Sequence, residues 1–154
     1  MKVVQGVAAK DGDLPVISTQ GPVALSQRTS NPSGVVRLCS AGGRNYTTDY
    51  GQLTAFAAHS LKDILSRKGV RVADSADKQL VVSIPQATCY TQGFAVYFDV
   101  TVEVAAGSDL IKRFTGTERT HDVRRRHLAV SGATLKAVLE IFKDEEILRY
   151  LERN

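Results

Sequence analysis

A chain of 154 residues with 20 Lys+Arg against 16 Asp+Glu is the length of one domain and carries a formal net charge of +4. Hydrophobic residues at 43% and charged residues at 23% exclude wholesale disorder, and the lack of any run of ~18 apolar residues excludes a membrane-spanning helix. Trp is absent and aromatics are 6%, too few for an aromatic cage or a base-stacking platform.

Residues 1–33 read as an irregular N-terminal arm and residues 34–154 as a single α+β domain. Pro15, Pro22 and Pro32 sit in the arm with Gly6, Gly12 and Gly21. Proline removes a donor and fixes φ, so a long helix or central strand is not expected there. Leu14–Ser18 is the short edge-strand candidate. The opening residues Met1–Gly6 are followed by Lys10, Asp11 and Asp13, which break the ~7–15-residue apolar run of a secretory signal. The expectation is a cytosolic protein or one whose export signal precedes Met1.

Gly34–Ser40 carries β-branched residues and predicts a strand, and Ala41–Asn45 a turn. Tyr46–Asp49 lead into a helix over about residues 51–68, with Thr47, Thr48 or Asp49 as N-cap. Leu53, Phe56, Ala57, Leu61, Ile64 and Leu65 recur at spacings of one helical face, and Gly69 closes it as a left-handed cap. Leu80–Ile84 predicts a strand, with Pro85 marking an edge or a bulge. Phe94, Val96, Phe98, Val100, Val102 and Val104 then alternate with mostly polar residues, which predicts a long strand buried on one face in an antiparallel sheet. Ala106–Asp109 is a hairpin turn and Leu110–Thr120 the returning strand. Residues 121–127 read as a charged connector, followed by a helix from about Leu128 and a final helix bearing Ile147, Leu148 and Leu151. The order β-α-β-β-β-α-α predicts an α+β two-layer sandwich, in which a three- to four-stranded, mostly antiparallel sheet carries the helices on one face.

This pattern resembles the small bacterial outer-membrane lipoproteins of the YajG type. The resemblance runs from Gly34 to Leu151, through Gly43-Arg44-Asn45, the helix Leu53…Leu65 with its exit Gly69-Val70-Arg71-Val72, the strand Leu80–Ile84, the alternating strand Phe94–Val104, Ala137-Val138-Leu139 and Ile147–Leu151. It implies a periplasm-facing α+β domain, anchored to the outer membrane in the full-length protein. Any membrane attachment would run through a lipid anchor absent from this chain. No active site carries over. Without an export signal the location would be cytoplasmic.

The residues themselves offer few chemical constellations. Residues 112–127 hold Lys112, Arg113, Arg119, Arg124, Arg125 and Arg126 against Glu118 and Asp122, a surplus equal to that of the whole chain. Arginine grips phosphate and carboxylate bidentately, so Arg119, Arg124, Arg125, Arg126 and His127 are the candidate binding residues for an anionic lipid surface or another polyanion. The plainer reading is a solvated connector. No aromatic residue is interleaved with the Arg run, which argues against single-stranded nucleic acid. Tyr97, Asp99 and Thr101 lie on the polar face of the long strand and are the sheet-face candidates for a partner. His121 and His127 are six apart, which is no metal-ligand spacing, and no cofactor or metal is expected. No nucleophile motif is present, so a small enzyme of unknown reaction is the remaining alternative. Cys39 and Cys89 are expected as buried free thiols, with a disulfide open to them in an oxidising compartment. The expected function is a non-enzymatic envelope lipoprotein domain that binds or scaffolds an unidentified envelope protein or an anionic lipid surface.

Overall fold

The computed structural model describes residues 14–19, 21–29 and 34–153. Among these residues the architecture is mixed α+β, with a five-stranded sheet, a separate two-stranded hairpin and three α-helices. The strands are β1 (Val23–Gln27), β2 (Val35–Ala41), β3 (Arg44–Asp49), β4 (Val72–Ala73), β5 (Lys78–Gln92), β6 (Ala95–Ala106) and β7 (Leu110–Thr120). The helices are α1 (Tyr50–Arg67), α2 (Arg126–Ile141) and α3 (Glu145–Glu152).

The alternation of β6 builds the centre. Phe98, Val100, Val102 and Val104 are buried on one face, while Tyr97, Asp99 and Thr101 remain partly exposed on the other. β5, β6 and β7 form the expected antiparallel meander. Phe94, counted in the alternation, lies in the β5–β6 turn instead and is 99% exposed. Gly93 takes φ +61° there, and the chain reverses before Phe94 can join the buried row.

The sheet is larger than expected. β1 lies between β4 and β5 and is parallel to both. It falls within the stretch read as irregular: Pro22 stands just ahead of the strand, where its missing donor costs no ladder bond, and Val23 is fully buried. Leu14–Ser18, by contrast, forms no strand, although Ile17 packs into the core. β3 covers the end of the expected turn Ala41–Asn45 and the expected helix lead Tyr46–Asp49. It pairs with β2 across Gly42 and Gly43, whose φ values of +57° and +73° close a tight hairpin.

Local signals set the helix ends. The Asp49 carboxylate accepts from the Gln52 N–H at 3.0 Å and caps α1. Gly69, at φ +81°, lets the Val70 N–H return to the Leu65 carbonyl at 2.9 Å. The Asp144 carboxylate accepts from the Glu146 and Ile147 N–H groups and caps α3. The helices cover the sheet face that carries Phe98, Val100 and Val102. α2 approaches β7 at Gly116, where a Cβ would overlap the Ala133 carbonyl oxygen and stand 2.6 Å from the Ala137 nitrogen. Only a glycine allows the helix backbone this close to the strand.

β5 bulges between Ser83 and Gln86, around Pro85. β1 stops pairing at Val82, so the outer edge of β5 beyond the bulge needs other partners. The Tyr50 hydroxyl supplies one. It accepts from the Ala87 N–H at 2.9 Å and lies 3.3 Å from the Ala87 carbonyl. The β2–β3 hairpin also packs here and is fastened by a Cys39–Cys89 disulfide with a Cα–Cα distance of 5.4 Å. The free-thiol expectation is therefore corrected. The two cysteines are 50 residues apart in sequence, and only the folding of the hairpin over β5 brings them together.

Candidate functional site: a basic end and an open sheet face

Arg44, Arg119, Arg125 and Arg126 line clefts at one end of the sheet, around the β2–β3 turn, the end of β7 and the start of α2. Thr120 and Asp122 shape the connector. The Thr120 hydroxyl accepts from the Asp122 N–H at 3.1 Å and donates to its carbonyl at 2.9 Å. The Asp122 carboxylate accepts from the Arg124 N–H at 2.9 Å and starts a 3₁₀ turn over Val123–Arg125. Arg124 also folds its guanidinium back onto Asp122 at 3.1 Å. These bonds from Arg124 hold the Asp122 carboxyl below its ordinary value of 3.8 and push the Arg124 guanidinium up. Arg125 stands 4.0 Å from the same carboxylate.

Three open clefts surround this connector. One of about 610 Å³ is lined by Glu118, Arg119, His121, Arg125, Leu128 and Gly132, among others. A second, of about 320 Å³, lies between the starts of α1 and α2 and takes in Asp49, Gln52, Phe98, Arg126 and His127. A third, of about 330 Å³, runs between the β2–β3 turn and the β5–β6 turn, with Arg44, Phe94, His121 and Val123 in its lining.

The candidate arginines are thus sorted. Arg119 and Arg125 share the first cleft, Arg126 and His127 face the second, and Arg124 lies in solvent against Asp122. Two other cations of the sequence cluster are engaged elsewhere. Arg113 pairs with Glu103 at 2.7 Å, and Lys112 pairs with Glu146 and, at 3.6 Å, with Asp144. The bond to Glu146 raises the Lys112 ammonium above its ordinary value of 10.5. Strand geometry is the reason for the split: alternate residues of β7 point to opposite faces, so Arg113 and Arg119 share the open face while Lys112 reaches towards α3.

The sheet-face candidates form cross-strand pairs. The Thr117 hydroxyl donates to the Asp99 carboxylate at 2.6 Å, and the Thr101 and Thr115 hydroxyls are 2.8 Å apart. Tyr97 stacks on Tyr90 with ring centroids 5.2 Å apart and planes within 5°. Opposite Tyr97 on β7 sits Arg119. Sequence reasoning places Glu103 on this polar face with Tyr97, Asp99 and Thr101 but does not foresee its burial, and it misses Phe94 and Arg44 at this end. Glu103 is a buried carboxylate 8% exposed, held by Arg113, Arg28 and Ser83. Phe94 and Arg44 occupy the facing turns. A glycine just before Phe94 was the available signal. Among the described residues, no group of three or more His, Cys, Asp or Glu side chains is arranged to hold a metal ion, and no helix is long and apolar enough to cross a membrane.

Together these features define a mixed-sheet α+β fold with an arginine-rich end and a polar sheet face that no other described element covers. No protein-family model and no curated protein matches the chain. Solved structures similar to it include a DUF330 protein from Xanthomonas campestris (17% identity, 91% of this chain and 88% of that one, TM-score 0.47). A minor lipoprotein from Acinetobacter baumannii is 14% identical over 82% of this chain and 89% of that one, at a TM-score of 0.42. A putative lipoprotein from Caulobacter crescentus is 11% identical over 65% of this chain and 81% of that one, at 0.41. At such identities and scores these likenesses transfer neither an activity nor a site.

Proposed function

We propose that the chain is a non-catalytic binding domain of the bacterial cell envelope, which holds an envelope component at its arginine-rich end. The Cys39–Cys89 disulfide carries this reading. Such bonds persist in oxidising compartments and are rare where thiol reductants are abundant. The resemblance to YajG-type lipoproteins supports the same side of the membrane, with attachment to the outer membrane through a lipid. A polyanion-binding role is the second reading, and the opening of Arg119 and Arg125 onto one cleft favours it.

Thiol trapping in intact cells tests the compartment. Alkylation before and after reduction is compared on the protein as the cell makes it. Cys39 and Cys89 are expected to resist the reagent until reduced. Two freely alkylated thiols would reject the envelope reading.

A further inference from the structure

Phe94 is 99% exposed at the tip of the β5–β6 hairpin. A single exposed apolar residue is ordinary on a protein surface. This one is unusual in its surroundings. Arg44 and His121 line the cleft against it, and Arg119 and Arg125 line the adjoining cleft. Tyr90, 44% exposed, and Tyr97 stack just behind the tip on the open face.

The acids here are already matched. Asp122 pairs with Arg124 at 3.1 Å, and Glu118 with Lys136 at 3.0 Å. Arg44 and Arg119 make no ion pair with any described residue. The opposite end of the sheet, around Asp77, Asp109, Glu146, Arg149 and Arg153, has mixed charge. Among the described residues, this end thus sets a 99% exposed aromatic ring in one cleft with Arg44 and His121, while Ile111, 60% exposed, lies on β7 away from it.

We propose that this end docks on an anionic bilayer, with Phe94 entering the boundary between headgroups and acyl chains and Arg44, Arg119 and Arg125 gripping lipid phosphates. The proposal rests on the binding reading above and names its partner. Each component has a physical reason. An apolar side chain gains by leaving water at the acyl boundary, tyrosines settle at headgroup level, and guanidinium groups match phosphate bidentately. A protein partner with an acidic groove would use the same arginines and ring; the bilayer is favoured because the tip projects freely, Phe94 being 99% exposed, with the stacked Tyr90–Tyr97 pair behind it on the open face.

Co-sedimentation of the disulfide-bonded chain with vesicles of phosphatidylglycerol in phosphatidylcholine, against phosphatidylcholine alone, tests this. Binding is expected only with the anionic vesicles and is expected to weaken with salt. Phe94→Ala should lower the partition coefficient roughly ten-fold, and Arg44→Ala or Arg119→Ala each about five-fold. Arg153→Ala, at the far end, should change nothing. Phe94 packs on nothing in the core, so its variant keeps the fold, and an unchanged circular dichroism spectrum checks this. Absence of binding to anionic vesicles would overturn the proposal. Binding that depends on the arginines but not on Phe94 would do so too, since it would mark a simple anion site. Neither outcome touches the thiol-trapping result, so the envelope reading stands or falls separately.

Discussion

Replacing Cys39 and Cys89 together by alanine is the sharpest test of how the fold is held. The bond closes a loop of 50 residues. The chain-entropy relation assigns about 4 kcal/mol to the loss of denatured-state freedom by a loop that long. For a domain of this size each kcal/mol moves Tm by about 2–4 °C, so the double variant should melt about 8–16 °C below the oxidised protein. Thermal denaturation followed by circular dichroism measures this, with the reduced native chain as a second reference. The loss should also be local in the native state. β2 and β3 form a sheet of their own, and an isolated two-stranded hairpin is marginal in water. Their remaining ties are packing contacts: Tyr46 meets Phe98 edge-on at 5.7 Å between centroids, Ala41 is buried, and Val36 and Leu38 pack against the core. Amide exchange in Val35–Asp49 should therefore rise in the variant while β5–β7 stay protected. A fall in Tm of less than about 2 °C, corresponding to under about 1 kcal/mol, with β2–β3 still protected, would refute the reasoning. The hairpin would then be held by packing, and the disulfide would be a passive ornament of the fold.

Tyr50→Phe should destabilise by about 1–3 kcal/mol, because it strips the buried Ala87 peptide of its hydroxyl partner; urea denaturation reads the change. Gly116→Ala should cost about 3 kcal/mol, the upper end of overpacking penalties, since the new methyl meets the backbone of α2 at Ala133 and Ala137 and no flexible side chain can yield. The same melt measures it, and a neutral result would show that α2 can slide away from β7 freely. Asp122 predicts a local acid transition. Its folded value lies below the unfolded 3.8, so its contribution is present above that value and is lost as pH falls through the lower, folded one. The Arg124 amide resonance should follow this titration, and Asp122→Asn should abolish it.

Much of the architecture was legible because its signals are local. The alternation from Val96 to Val104, the turn at Ala106–Asp109, the Asp49 cap, the Gly69 exit and the apolar stripe Leu53…Leu65 each span a few residues, and each reappears in place. The expected bulge at Pro85 does as well. The candidate site was half legible. The arginine run was visible, and Arg119, Arg125 and Arg126 do stand open. Its partition was not visible, because the partners of Lys112, Arg113 and Arg124 lie on α3, on β6 and within the connector.

By itself the sequence determined the α+β class, the β5–β7 meander, the helices and the concentration of charge in residues 112–127. These follow from periods of two and 3.6 and from capping chemistry, which act over a turn or a strand. Tertiary structure alone decided that Val23–Gln27 joins the sheet, that Cys39 meets Cys89 and that Phe94 stands exposed in one cleft with Arg44 and His121. Each depends on contacts between segments tens of residues apart, for which a local pattern carries no signature. The net charge of +4 is thus a property of one segment in the sequence, but only folding separates its neutralised cations from the open ones.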